Sequence, residues 1–166
     1  MRASREWIRL CEYCGCRQVE PIAELMDEHM ALLEIAGDLR RALLGQDRTR
    51  AEAKRDELAV LLAGHTSREE AGIFTALKAQ GDYVSEVDAL ESEHVSLDEA
   101  VAAVELEGPE SLEVLDRVVA DLTEHIDKEN LGIFPVAVVT LGATGWRIVD
   151  RAREQATDPV KTALSS

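Results

Sequence analysis

Two of the four histidines in this 166-residue chain sit in a repeated phrase. HTSREEAGIFTAL, from His65 to Leu77, returns 60 residues later as HIDKENLGIFPVA, from His125 to Ala137. The histidine, a glutamate four places on and Gly-Ile-Phe are all in register. On a helix, that spacing puts an imidazole and a carboxylate one turn apart on one face, within reach of one ion. Both are common metal donors.

The other two histidines follow the same rule of placement. Met26, His29 and Leu33 step along one apolar stripe, and Leu90, His94 and Leu97 along another. In the repeated phrases, Leu58, Leu61 or Leu62, His65, Glu69, Ile73 and Ala76 share a face, as do Leu115, Leu122, His125, Glu129, Ile133 and Val136. Burying two carboxylates in an apolar core costs several kcal/mol each unless positive charge offsets them. Arg68 and Lys128 precede the two glutamates by one residue, about 100° round the helix, and are expected to point outward. A pair of cations meets the need. Four imidazoles and two carboxylates give each cation two nitrogens and a share of two carboxylates, a set that suits iron better than calcium or magnesium. The same donors also accept zinc and manganese.

Four long helices are needed to bring these residues together. Apolar residues recurring every three or four positions predict helices over about 21–44, 49–79, 83–106 and 109–141, punctuated by Gly45, Gly81, Gly108-Pro109 and Gly142. Connections of a few residues make neighbouring helices antiparallel. The expected fold is all-α: an up-down-up-down antiparallel four-helix bundle with a short C-terminal helix, 146–155, and a Cys-containing N-terminal arm. The corresponding division is an arm over 1–18, a bundle over 19–142, and a C-terminal helix and tail over 143–166.

Composition excludes several classes of function. With 33 acidic against 18 basic residues, the net charge of -15 repels phosphate backbones and anionic lipid, so neither nucleic acid nor membrane is an expected partner. No apolar run reaches the length of a membrane span, and the first ten residues lack the apolar core of a secretory signal, so a cytoplasmic location is expected. No phosphate-cradling glycine loop or Ser-His-Asp arrangement is present. The three cysteines, Cys11, Cys14 and Cys16, share one short segment. A zinc site there lacks an evident fourth ligand; redox-active thiols and simply packed thiols are the other readings.

His29, His65-x-x-x-Glu69, His94 and His125-x-x-x-Glu129, with the flanking phrases DEHMALLE and ESEHVSLDE, resemble the hemerythrin-like, HHE cation-binding family over roughly residues 19–140. The resemblance implies a non-haem diiron centre, two iron ions with an oxo or hydroxo bridge, inside a four-helix bundle. His29, His65, His94 and His125 would be terminal ligands and Glu69 and Glu129 bridges. Oxygen-carrying members have a second histidine one turn along the third helix; here Leu90 and Asp98 stand in those places. Open positions on both irons favour reaction over reversible carriage. Asp98, Glu70 and Tyr83 are candidates for a further ligand. The expected function is binding and processing of peroxide, nitric oxide or dioxygen, with an electron donor as partner. Oxygen storage, or iron or oxygen sensing without turnover, are the alternatives.

Overall fold

The computed structural model describes residues 15–156, so Cys11, Cys14 and the tail after Ala156 lie outside the described residues. A short 3-10 turn, Cys16–Gln18, leads into α1, Glu20–Leu44, with Pro21 in the first turn where its missing N–H costs no hydrogen bond. Asp47 then caps α2, Arg48–Glu69, by accepting from the Arg50 amide at 3.1 Å. A π-helical turn, Glu70–Phe74, joins α2 to α3, Thr75–Gln80, which ends on Gly81 at φ 89°, a backbone state that favours glycine. The third rod is α4, Val84–Ala102. The fourth comprises α5, Ser111–Lys128, a second π-helical turn, Glu129–Ile133, and α6, Phe134–Thr140. The last helix, α7, covers Ala143–Gln155.

The four rods form a helical bundle in which α1 packs on α2, α2 on α4, α4 on α5 and α5 on α1. Among the described residues there are no strands, and no helix is long and apolar enough to cross a membrane. Helix α4 stops four residues short of the expected Leu106. Val104 is still buried, but its amide bonds to the Val101 carbonyl as the chain turns away towards Gly108. Its apolar spacing records burial without helix.

The apolar core is in two parts. One cluster holds Ile22, Leu25, Met26, Ile73, Phe74, Val87, Leu90, Ile133 and Phe134, together with Cys16 and Val149. The other holds Leu32, Leu39, Leu58, Leu62, Leu97, Leu115 and Leu122. Each rod passes from one cluster to the other at its histidine. The polar layer between them is the candidate site.

The two π turns were absent from the periodicity reading, which treats each rod as a regular helix. Their effect is local and identical. In an α-helix, a residue five places after Glu69 points away from it, whereas i to i+5 bonding brings Phe74 back to the same face. Phe134, five places after Glu129, returns in the same way. Both rings are fully buried.

Candidate metal centre

All four imidazoles are turned alike, with Nε2 inward and Nδ1 outward. His29, His65, His94 and His125 are each no more than 3% exposed, and Glu69 and Glu129 are fully buried. Glu69 points Oε1 at His65 Nε2 (3.3 Å) and His29 Nε2 (3.6 Å), and Oε2 at His94 Nε2 (3.4 Å). Glu129 is the counterpart. Its Oε2 lies 3.0 Å from His29 Nε2, and its Oε1 lies 3.0 Å from His125 Nε2 and 3.5 Å from His94 Nε2. Each carboxylate therefore divides its oxygens between two imidazole pairs. The donors form two groups, His29, His65, Glu69, Glu129 and Glu69, His94, His125, Glu129, whose ligand atoms lie within 4.8 Å of one another.

The inner atoms lack ordinary partners. The four Nε2 atoms and all four carboxylate oxygens are buried without a hydrogen bond. Buried polar atoms in folded proteins are nearly always satisfied, so eight orphans facing one another mark a place prepared for something they all coordinate. Imidazole nitrogen with carboxylate oxygen is the donor set of a first-row divalent metal. The six residues fit a metal pair.

The outward nitrogens are each held by a residue next to one of the six. Glu28 Oε2 lies 2.8 Å from His65 Nδ1, Glu70 Oε1 2.8 Å from His94 Nδ1, Glu93 Oε2 2.8 Å from His125 Nδ1, and Asn130 Oδ1 3.0 Å from His29 Nδ1. Each rod thus steadies the histidine of the next, closing a ring around the bundle. An acceptor at Nδ1 fixes the tautomer that leaves the Nε2 lone pair for a metal. Two of the acceptors carry a cation behind them: Arg68 Nη2 lies 2.6 Å from Glu28 Oε1, and Lys128 Nζ 2.7 Å from Glu93 Oε1. Arg68 and Lys128 do point away from the centre, as expected, and serve this outer layer.

The electrostatics favour positive charge at the centre. Burial lowers the affinity of His29 for a proton, but the facing carboxylates of Glu129 and Glu69 outweigh it and push the pKa up to about 10. His94 is likewise pushed up to about 10 against burial, by Glu129, Glu69 and Glu70. His65 is raised as well, Glu69 and Glu28 overcoming its burial. Burial works to raise Glu69, yet His65, His29 and His94 hold it well below the usual carboxylate range. Glu129 is also lowered, its histidine partners prevailing over burial and over Glu69.

Aromatic rings wall the layer. Phe74 stacks on His94 with ring centroids 5.5 Å apart, and Phe134 on His29 at 5.7 Å, each within 10° of parallel. The π turns place both rings. On the side of α4 and α5, a surface groove of about 220 Å³, lined by Glu93, Leu97, His125 and Lys128, reaches the outer edge of His125.

All six residues anticipated from the sequence meet at this layer. The three candidates for a further ligand do not join the inner donors. Glu70 is turned to His94 Nδ1. Tyr83 caps α4 with a left-handed backbone, and Asp98 is exposed. The ring of Nδ1 acceptors was missed. A signal for it existed, since Glu28 and Glu93 immediately precede His29 and His94, and Glu70 and Asn130 immediately follow the two buried glutamates.

Residues 20–137 match the family model described as the hemerythrin HHE cation binding domain. No curated protein and no solved structure matches the chain. The match spans most of the chain and the whole of the polar layer, and this protein belongs to the hemerythrin HHE cation-binding family.

Proposed function

We propose that the chain is a non-haem diiron protein that binds and processes a small reactive molecule: peroxide, nitric oxide or dioxygen. His29 and His65 would hold one iron and His94 and His125 the other, with Glu69 and Glu129 available to both. The observation that carries this reading is the division of each buried carboxylate between the two imidazole pairs, with all eight inner atoms lacking any other partner. The same reading takes the rods as an up-down-up-down antiparallel bundle, the course favoured by the short connections at 45–47 and 81–83. A cytoplasmic setting accords with the acidic surface.

Two bound iron ions would supply one- and two-electron redox chemistry towards small oxidants. The rest of the work belongs to the chain. Glu28, Glu70, Glu93 and Asn130 orient the imidazoles and make them better donors. Phe74, Phe134, Leu62 and Leu122, all buried, keep bulk water from the layer and admit small uncharged molecules more readily than ions. With two imidazoles and a share of two carboxylates on each side, the protein offers too few donors to fill both coordination spheres, which favours reaction over sequestration. Reducing peroxide to water takes two electrons, so an electron donor is part of the proposal.

The test is metal analysis with an optical spectrum of air-exposed protein, followed by addition of peroxide or nitric oxide. Two irons per chain, near-ultraviolet charge-transfer bands and consumption of either molecule are the expected results. Reversible oxygen binding without consumption would overturn processing in favour of carriage. A metal-dependent change in helicity or oligomeric state without consumption would overturn it in favour of sensing.

A further inference from the structure

The two halves of the layer have the same inner donors and a different outer charge. His65 and His125 are equivalent: each gives its Nδ1 to a glutamate, Glu28 or Glu93, that a cation, Arg68 or Lys128, backs. Each cation offsets its glutamate, Lys128 being shared with the exposed Glu124. His94 and His29 are not equivalent. His94 Nδ1 faces a carboxylate, Glu70, for which no Lys or Arg among the described residues stands within ion-pair distance, whereas His29 Nδ1 faces the neutral amide of Asn130. Glu70 and Asn130 occupy corresponding places, each directly after the buried glutamate of its repeat. Among the Nδ1 acceptors and the cations behind them, the difference between the half-sites is therefore one negative charge, delivered through one hydrogen bond, and Asp98, one turn from His94, adds negative charge on the same side.

We infer that Glu70 and Asn130 make the centre an ordered, unequal pair, which takes its first divalent cation between His94 and His125 and its second between His29 and His65. The inference rests on the metal-centre reading above. A carboxylate accepting from Nδ1–H draws that proton towards itself and leaves Nε2 more electron-rich; an amide oxygen does so less. The extra negative charge also attracts the incoming cation directly, although the Glu70 side chain is 42% exposed and water weakens this part. Partners of this kind shift metal affinity by about 10-fold to 100-fold. About 10-fold suits a half-exposed carboxylate and is enough to separate the two loading steps. Glu70 is a positioning residue here, since it touches His94 and not the inner space.

Zinc(II), which has no redox chemistry, reads this without any activity. The full chain, stripped of metal, is given one equivalent of zinc per chain, and anomalous scattering at the zinc edge reports occupancy in crystals. The expected result is density predominantly between His94 and His125, with calorimetry in solution resolving two binding steps about 10-fold apart. Glu70→Gln and Asn130→Asp preserve shape and change only charge, so each should level the two occupancies. The double variant should move the first zinc to His29 and His65, a reversal that a merely structural role cannot produce. Equal occupancy in the unaltered protein, or a preference that ignores both substitutions, overturns the inference and leaves a two-ion centre standing. Absence of bound zinc together with absence of bound iron overturns the centre and the inference with it.

Discussion

His29 and His65 meet edge to face with ring centroids 4.5 Å apart, and His94 and His125 do the same at 4.8 Å. Phe134 covers the first pair and Phe74 the second. Outside this inner layer the halves diverge. Helix α7 lies mainly on the first half, packing on the π turn Glu70–Phe74, on α3 and on α1, where Arg153 bonds both oxygens of Glu24. A Cβ added at Gly72 would touch Ala152 and Val149 of α7 at 3.8–3.9 Å, whereas one added at Gly132 would meet nothing within 4 Å. The contrast separates two kinds of repetition. Residues whose atoms face the centre are duplicated in position, as the proposed pair of ions would require. Residues of the same phrase that face outward have taken on whatever each half's surroundings required.

Removing a bridge tests the shared inner layer most severely. Because Glu69 and Glu129 each serve both histidine pairs, Glu69→Ala and Glu129→Ala should each take metal content from about two ions per chain to nearly none, since a bridging ligand is lost to both ions. His65→Ala and His125→Ala should instead each spare the ion of the opposite half. Elemental analysis of purified protein checks this, and a loss of one ion only on removing Glu69 would break the symmetry of roles.

The aromatic walls come next. Phe74→Ala and Phe134→Ala each empty a fully buried site and should destabilise the fold by about 3–5 kcal/mol in denaturant titrations. Similar values for the two would support equivalent π turns; a negligible cost at one would mean that its turn does not hold the ring as described.

Proton linkage follows from one histidine in each half. In protein stripped of metal, His29 and His94 titrate near 10, against about 6.5 in an unfolded chain. Their protonated forms thus add stability that is complete below about pH 6.5 and lost as the pH rises through about 10. The melting temperature of stripped protein should fall across that window, and restoring the metal should flatten the fall. A stripped protein that gains stability from pH 7 to 10 would contradict the electrostatics.

Smaller effects belong to the outer layers. Glu28→Gln and Glu93→Gln should each weaken metal binding about 10-fold at the neighbouring half-site, seen as one altered calorimetric step. Gly132→Ala should stabilise the protein by up to about 1 kcal/mol, because nothing obstructs the added methyl and glycine is costly in a helix. Gly72→Ala should be tolerated, since the methyl would reach only ordinary contact distance from α7.

The sequence made the six inner residues legible because their signal is local: a histidine and a glutamate four apart within an apolar stripe can be seen on one helix at a time. Gly81 marked a rod end for the same reason. The Nδ1 partners escaped because each bond joins two rods, and nothing in a single stripe says that Glu28 faces His65 or that Glu70 faces His94. The π turns escaped for a different reason. Gly-Ile-Phe reads as regular helix until the burial of both Ile73 and Phe74 shows that the turn has widened. The early end of α4 shows the reverse error, with Val104 keeping the helical rhythm after the helix has stopped.

Crystals of the fully iron-loaded chain, measured on either side of the iron absorption edge, test the central claim most directly. The account predicts two anomalous peaks inside the bundle, one beside His29 and His65 and the other beside His94 and His125, with Glu69 and Glu129 reaching both. A single peak, or two peaks with either glutamate turned away from one of them, would contradict it.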